Sequence, residues 1–123
     1  MSNELEGIVR VMFEDLDKMD VDKILDSFSQ DVQWVDEFTE EWKFGKSNLE
    51  AFFSNAANSI TNMKSNTSNF RTVVSGDNAL VTFMLSQTYT LDGDIIDLIA
   101  PTTMAFSKEN GVWKVSLLHS VPL

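Results

Sequence analysis

Asp36, Tyr89 and His119 carry the side chains of this chain best suited to moving a proton. Asp36 lies two positions after Trp34 in the strand-like run Val32-Gln33-Trp34-Val35-Asp36, so carboxylate and indole share a face. Burial beside an indole makes a carboxylate a better proton acceptor, the requirement for a general base. The plainer reading is a solvated aspartate at a strand end. Tyr89, the only tyrosine, can offer its phenol to a ligand or to a structural partner. His119, the only histidine, can shuttle a proton or simply pack. Trp34, Phe52, Phe83, Gln87 and Thr103 complete a set able to wall an apolar pocket with a few placed polar groups.

Composition removes other chemistries. Without cysteine there are no disulfides, thiolate metal sites, iron–sulfur clusters or cysteine nucleophiles. A single histidine excludes the usual zinc sets, and Asp92-Gly93-Asp94 lacks the further ligands of a calcium loop, so neither metal nor cofactor is expected. No phosphate-cradling glycine loop or Gly-x-Ser-x-Gly elbow occurs. The net charge of −10 repels phosphate backbones, and the lysines and arginines are scattered, so nucleic acid and anionic membrane are poor partners. With no apolar run near the roughly 20 residues of a membrane helix, and an acidic start unlike a signal peptide, the expected address is cytoplasmic. At 123 residues the chain is expected to form one domain over 1–123.

The elements that must position these residues follow from periodicity. Leu5, Ile8, Val9, Met12, Leu16 and Met19 recur at helical spacing and predict a first amphipathic helix. Asp20 is placed to cap a second over Val21 to Ser29. Short strands are expected at Val32–Asp36 and Trp42–Phe44, around an acidic connection at 37–41. Ser47-Asn48-Leu49-Glu50 fits a reciprocal capping box before a third helix carrying Leu49, Phe52, Phe53, Ala56, Ala57 and Ile60. The polar stretch Thr61 to Asn69 reads as a loop. Beyond it come strands over Phe70–Val74 and Ala79–Leu91, then hairpins turning at Asp92-Gly93 and Asn110-Gly111. Pro101 is expected to bend or interrupt the passage into the last hairpin. There, Trp113, Val115, Leu117 and His119 would share one face.

Four patterns, in this order and spacing, resemble the SnoaL-like group of the nuclear transport factor 2-like superfamily over nearly the whole chain. They are Asp31-Val32-Gln33-Trp34 after a helical hairpin, Phe44-Gly45-Lys46 before the third helix, Gly76-Asp77-Asn78-Ala79-Leu80-Val81, and Phe106-Ser107-Lys108-Glu109-Asn110-Gly111-Val112-Trp113-Lys114-Val115 with His119-Ser120. The resemblance implies an α+β, cystatin-like cone: three N-terminal helices packed on the concave face of a strongly curved, mainly antiparallel sheet. It also implies a conical pocket between them and a homodimer packed through the sheet. In the ketosteroid isomerase relatives, a run similar to Asp31-Val32-Gln33-Trp34-Val35-Asp36 ends on the proton-abstracting carboxylate, which falls on Asp36. The oxyanion donors of those relatives fall on Met12 or Phe13 and on Thr102, so steroid isomerase activity is not expected.

Because such a scaffold hosts many chemistries, function must be argued from the site. The first expectation is a domain binding a small, mainly apolar organic molecule in its cone. The second is an isomerase, cyclase or hydratase with Asp36 as base and Tyr89 or His119 polarising the substrate. The third is a noncatalytic interaction module using a sheet surface of Thr82, Met84, Ser86, Lys114, Ser116 and Leu118.

Overall fold

Leu5, Val9 and Met12, one helical turn apart, are buried along one stripe of α1 (Ser2–Asp17), which lies across the sheet. The computed structural model describes residues 2–36 and 39–123. The expected acidic connection at 37–41 therefore falls partly, at 37 and 38, outside the described residues. Helix α2 (Val21–Asp26) starts as expected, with the Asp20 side chain accepting from Lys23 N at 3.4 Å. It stops three residues earlier than periodicity predicts. Ser27 O accepts from Val115 N at 2.8 Å, which draws the chain onto the sheet, and Phe28 and Ser29 already belong to a strand.

That strand, β1 (Phe28–Asp36), pairs antiparallel with β2 (Glu41–Phe44). Helix α3 (Lys46–Ser59) follows, and four long strands finish the chain: β3 (Ile60–Ser75), β4 (Asn78–Leu91), β5 (Asp94–Glu109) and β6 (Val112–Ser120). Their order in one open sheet is β2-β1-β6-β5-β4-β3, antiparallel throughout except for the parallel pair β1 and β6. This is the expected α+β, cystatin-like arrangement. The two predicted hairpin turns form with both central residues at positive φ: 50° and 86° at Asp92 and Gly93, 51° and 80° at Asn110 and Gly111.

Three local expectations are corrected. The capping box does not form: α3 begins after Gly45, at φ 91°, with no side-chain cap, and Asn48 Nδ2 instead donates to Phe44 O at 2.8 Å. Pro101 does not interrupt β5. It pairs in register with Met84, and its carbonyl accepts from Val121 N at 3.0 Å. In an antiparallel strand a residue's N and C=O point to the same neighbour, so the missing donor faces past the end of β6 and costs no bond to β4.

The third correction concerns Thr61 to Asn69, which is strand, not loop. Its polar composition hid the alternation because the alternation slips twice. Between Thr61↔Thr90 and Lys64↔Thr88, and again between Ser68↔Met84 and Arg71↔Thr82, β3 spends one residue more than β4. The intervening Asn62 and Asn69 both sit at φ 56°, a conformation asparagine tolerates and β-branched residues do not. Each bulge switches the face, leaving Met63, Ser65 and Thr67 inward between them.

The core lies between α1, α3 and the inner sheet face. Leu5, Val9, Val32, Leu49, Val81, Met104, Phe106 and Val115 are fully buried. Burying each such side chain is worth about 1.5–3 kcal/mol. Replacing Asn62 by valine should lower stability by about 1–2 kcal/mol, whereas glycine should stay within about 0.5 kcal/mol of the parent. Urea unfolding checks both; equal losses would mean that the backbone at Asn62 does not hold the bulge.

Candidate functional site

Along α3, Asn48, Phe52, Asn55, Ala56 and Ser59 recur at steps of 4, 3, 1 and 3, which sets them on one helical face. Facing them are Trp34 and Asp36 from β1, Lys43 from β2, Ile60 from β3, and Leu91 and Asp92 from the end of β4. Together they line a polar cleft of about 660 Å³. Trp34, Phe52, Ala56 and Ile60 also line a second space of about 140 Å³, set deeper. Its other walls include Phe13, Leu16, Leu49, Phe53, Met63, Leu85, Leu98 and Leu118, with Gln87, Tyr89 and Ser120 as its polar groups. The site is therefore an apolar inner chamber and a polar mouth separated by four shared residues.

Asp36 and Trp34 share the inner face of β1, as their spacing predicts. Asp36 Oδ1 accepts from Thr39 N at 3.4 Å, and Asp36 O accepts from Glu40 N at 2.7 Å, which anchors the carboxylate to the turn following β1. Lys43 pairs across the ladder with Trp34, and its ammonium lies 3.9 Å from Glu41, an exposed pair worth little by itself. Trp34 is only 3% exposed, and its Nε1 has no acceptor among the described residues. An orphaned buried donor costs about 1–3 kcal/mol.

Behind the chamber wall a short chain of hydrogen bonds reaches from helix to sheet. Ser65 N and Ser65 Oγ donate to the Asp17 carboxylate at 3.0 and 2.6 Å, and Gln87 Nε2 donates to Ser65 Oγ at 3.1 Å. Asp17 ends α1, where a carboxylate opposes the helix dipole and no basic residue compensates. The two bonds from Ser65 offset that cost. Neither Asp17 nor Ser65 was a candidate from sequence, because Ser65 lies in the stretch that reads as loop. Asn48, Asn55, Lys43 and Asp92 were also missed; for the two asparagines the signal was available, since they share the helical face of Phe52.

The structure brings together Trp34, Asp36, Phe52, Gln87 and Tyr89, all of which line one or both spaces. It separates three others from them. Phe83 is buried with its ring stacked on Phe70 at 5.2 Å and edge-on to Phe13 at 5.9 Å, so it fills the core and lines neither space. Thr103 falls on the outer face of β5, between the inward Thr102 and Met104. His119 is its cross-strand partner on that outer face, with its ring 5.6 Å from Trp42.

The reason for the histidine's position is a third bulge. Between Ala105↔Leu117 and Phe106↔Val115, β6 spends one extra residue, Ser116. Trp113 and Val115 point inward, but beyond the bulge it is Leu118 and Ser120 that line the chamber. The expectation that Leu117 and His119 share the face of Trp113 and Val115 is corrected, as is Leu118 on the outer surface. His119 is thus unable to pair with Asp36 or Tyr89 in one cavity. Met12 and Phe13 are buried apolar residues, and Thr102 Oγ1 is engaged by Ala100 O at 3.1 Å and Ser120 Oγ at 2.9 Å, so the oxyanion positions hold no available donor. Among the described residues no group of three or more His, Cys, Asp or Glu is placed to hold a metal ion. Likewise, no helix among them is long and apolar enough to cross a membrane.

Residues 9–115 match the family model for the SnoaL-like domain. No curated protein matches the chain. Solved structures share the fold at low identity. An NTF2-like protein from Cytophaga hutchinsonii is 13% identical with a TM-score of 0.86, over 100% of this chain and 98% of that one. An uncharacterized protein with a cystatin-like fold from Caulobacter vibrioides is 16% identical with a TM-score of 0.84, over 99% and 89%. A CaMKII hub from S. rosetta is 16% identical with a TM-score of 0.83, over 97% and 94%.

Placing a carboxylate on each face of β6 just beyond the bulge tests the assignment of faces. Leu118→Asp should cost about 2–4 kcal/mol, while Leu117→Asp should cost less than about 1 kcal/mol. Chemical denaturation of the two variants at low protein concentration measures both. The reverse order would place the bulge elsewhere.

Proposed function

Since the chain belongs to the SnoaL-like domain family, within the nuclear transport factor 2-like superfamily, we propose that it binds a small, mainly apolar organic molecule between α3 and the sheet. The observation that carries this reading is the pair of spaces sharing Trp34, Phe52, Ala56 and Ile60. An amphipathic ligand would seat its apolar end in the inner chamber and keep its polar end among Asp36, Lys43, Asn48 and Asp92 at the mouth. Concave sites with apolar walls and few polar groups are the usual form of small-molecule sites. Proton transfer by Asp36 on such a ligand would have Tyr89 as its polarising group, reached only by a molecule spanning the shared residues, because Asp36 lines the cleft and Tyr89 the chamber.

Ala56 offers a direct test, because a larger side chain there would fill the passage without adding charge. Isothermal calorimetry with 2-naphthol, a neutral two-ring probe, should show saturable binding to the parent. Ala56→Phe, once thermal unfolding shows it folded, should bind at least about tenfold more weakly. Absence of saturable binding to the parent, or unchanged affinity in the filled variant, would overturn the reading.

A second reading, self-association through the outer sheet face, is favoured by one register row. Phe44, Gln33, Leu117, Ala105, Leu80 and Val73 follow one another across all six strands. Phe44, Leu80 and Val73 are 58%, 46% and 56% exposed, an apolar band of the kind a homodimer covers. Sedimentation velocity should find a dimer, and Leu80→Asp should shift it to monomer at the same concentration. A monomeric parent, or a dimer indifferent to the substitution, would remove this reading.

A further inference from the structure

The inner chamber has a hydrogen-bonding polarity set by residues that do not line it. Ser65 Oγ lies 2.6 Å from Asp17 Oδ1, and as a carboxylate Asp17 can only accept, so the single hydroxyl proton of Ser65 is spent on it. The approach of Gln87 to the same oxygen at 3.1 Å must then be a donation, which fixes Nε2 on the Ser65 side. The other Nε2 proton points to Met63 Sδ at 3.9 Å. Both amide protons are committed to β3, and Oε1 of Gln87, a residue only 9% exposed, is left to the chamber it lines.

Ser120 repeats the pattern on the opposite wall. Thr102 Oγ1 donates to Ala100 O at 3.1 Å, so its contact of 2.9 Å with Ser120 Oγ is satisfied when Ser120 donates. The Ser120 oxygen then keeps only lone pairs for the chamber. The Tyr89 hydroxyl, with one proton and two lone pairs, does not by itself set the polarity. Two independent networks thus consume the protons of Gln87 and Ser120 and leave acceptors on an otherwise apolar lining.

Size narrows the class further. At about 140 Å³ the chamber is close to the engineered apolar cavity of about 150 Å³ that takes benzene. We infer that the inner chamber takes a single six-membered ring whose leading edge bears a hydroxyl or N–H, donated to Gln87 Oε1, with Asp17 as the residue that sets the amide's orientation through Ser65. The inference rests on the small-molecule reading above and adds the chemistry of the buried end. Asp17 is a positioning residue for specificity and does not touch the ligand.

Phenol and toluene, matched in shape and differing in the donor, are the probes, with dissociation constants measured by ligand-observed NMR on the full chain. In Gln87→Leu the ratio of toluene to phenol dissociation constants should fall by about fivefold relative to the parent, the worth of one hydrogen bond. Asp17→Asn releases the Ser65 proton and lets the amide turn over. It should weaken phenol by a similar factor while leaving toluene unchanged, an outcome that a merely structural loss, which would weaken both, does not produce. If both rings bind the parent but the ratio is unaltered in both variants, the polarity inference is wrong and the small-molecule reading stands. If neither ring binds a parent that takes 2-naphthol, the inner chamber is not the site of the ring. If none of the three probes binds, the small-molecule reading fails and the inference falls with it.

Discussion

A β-strand alternates its side chains with a period of two, and in this protein the positions of Ser65, Ser120 and His119 depend on where that alternation is interrupted. Single extra residues at Asn62, Asn69 and Ser116 each exchange inside for outside. Between the first two, Ser65 is turned toward Asp17 and Gln87; beyond the third, Ser120 enters the chamber and His119 leaves it. Without these bulges the same sequence would place a histidine inside and lose the link between helix and sheet. Bulges cluster near functional sites for this reason: they re-aim side chains at the cost of one unpaired residue.

The same constraint explains what was legible in the sequence. Trp34 and Asp36 were correctly placed on one face because β1 is regular from Gln33 to Asp36, and Gln87 and Tyr89 were correctly turned inward because β4 runs without an extra residue. The hairpin turns were readable from Asp92-Gly93 and Asn110-Gly111, whose residue types are selected by positive φ. The bulges at Asn62 and Asn69 use the same chemistry, but an asparagine without a following glycine inside a polar stretch looks like any loop residue. Ser116 gives no compositional signal at all, so His119 was assigned to the wrong face. Phe83 could not be told from a pocket wall, since a core and a cavity lining ask for the same residue.

The helices show a similar division. Periodicity placed all three helices, whereas contacts made outside them decided where α2 ends and α3 begins. Ser27 yields to Val115 on β6, and α3 starts from Gly45 with Asn48 bonding back to Phe44 instead of a Ser47 cap. At the other end, α1 finishes on Asp17, a poor choice for an isolated helix and a useful one here, because its carboxylate anchors the hydrogen bonds that run through Ser65 to Gln87. Local rules fail where a residue answers to a distant partner.

The proline in β5 acts on a different problem. After Ser120 the chain no longer counts as strand, yet Val121 N and Leu123 N still donate to Pro101 O and Ile99 O. This leaves the middle of β5 beside a ragged margin, and exposed Ile99 and Val121 make that margin attractive to another extended chain. An incoming strand that displaced the tail would find a carbonyl at Pro101 but no N–H to complete the pair, so the ladder could not close there. A residue that looked like a break in the fold thus serves as a guard against mispairing where β5 runs on past the end of β6.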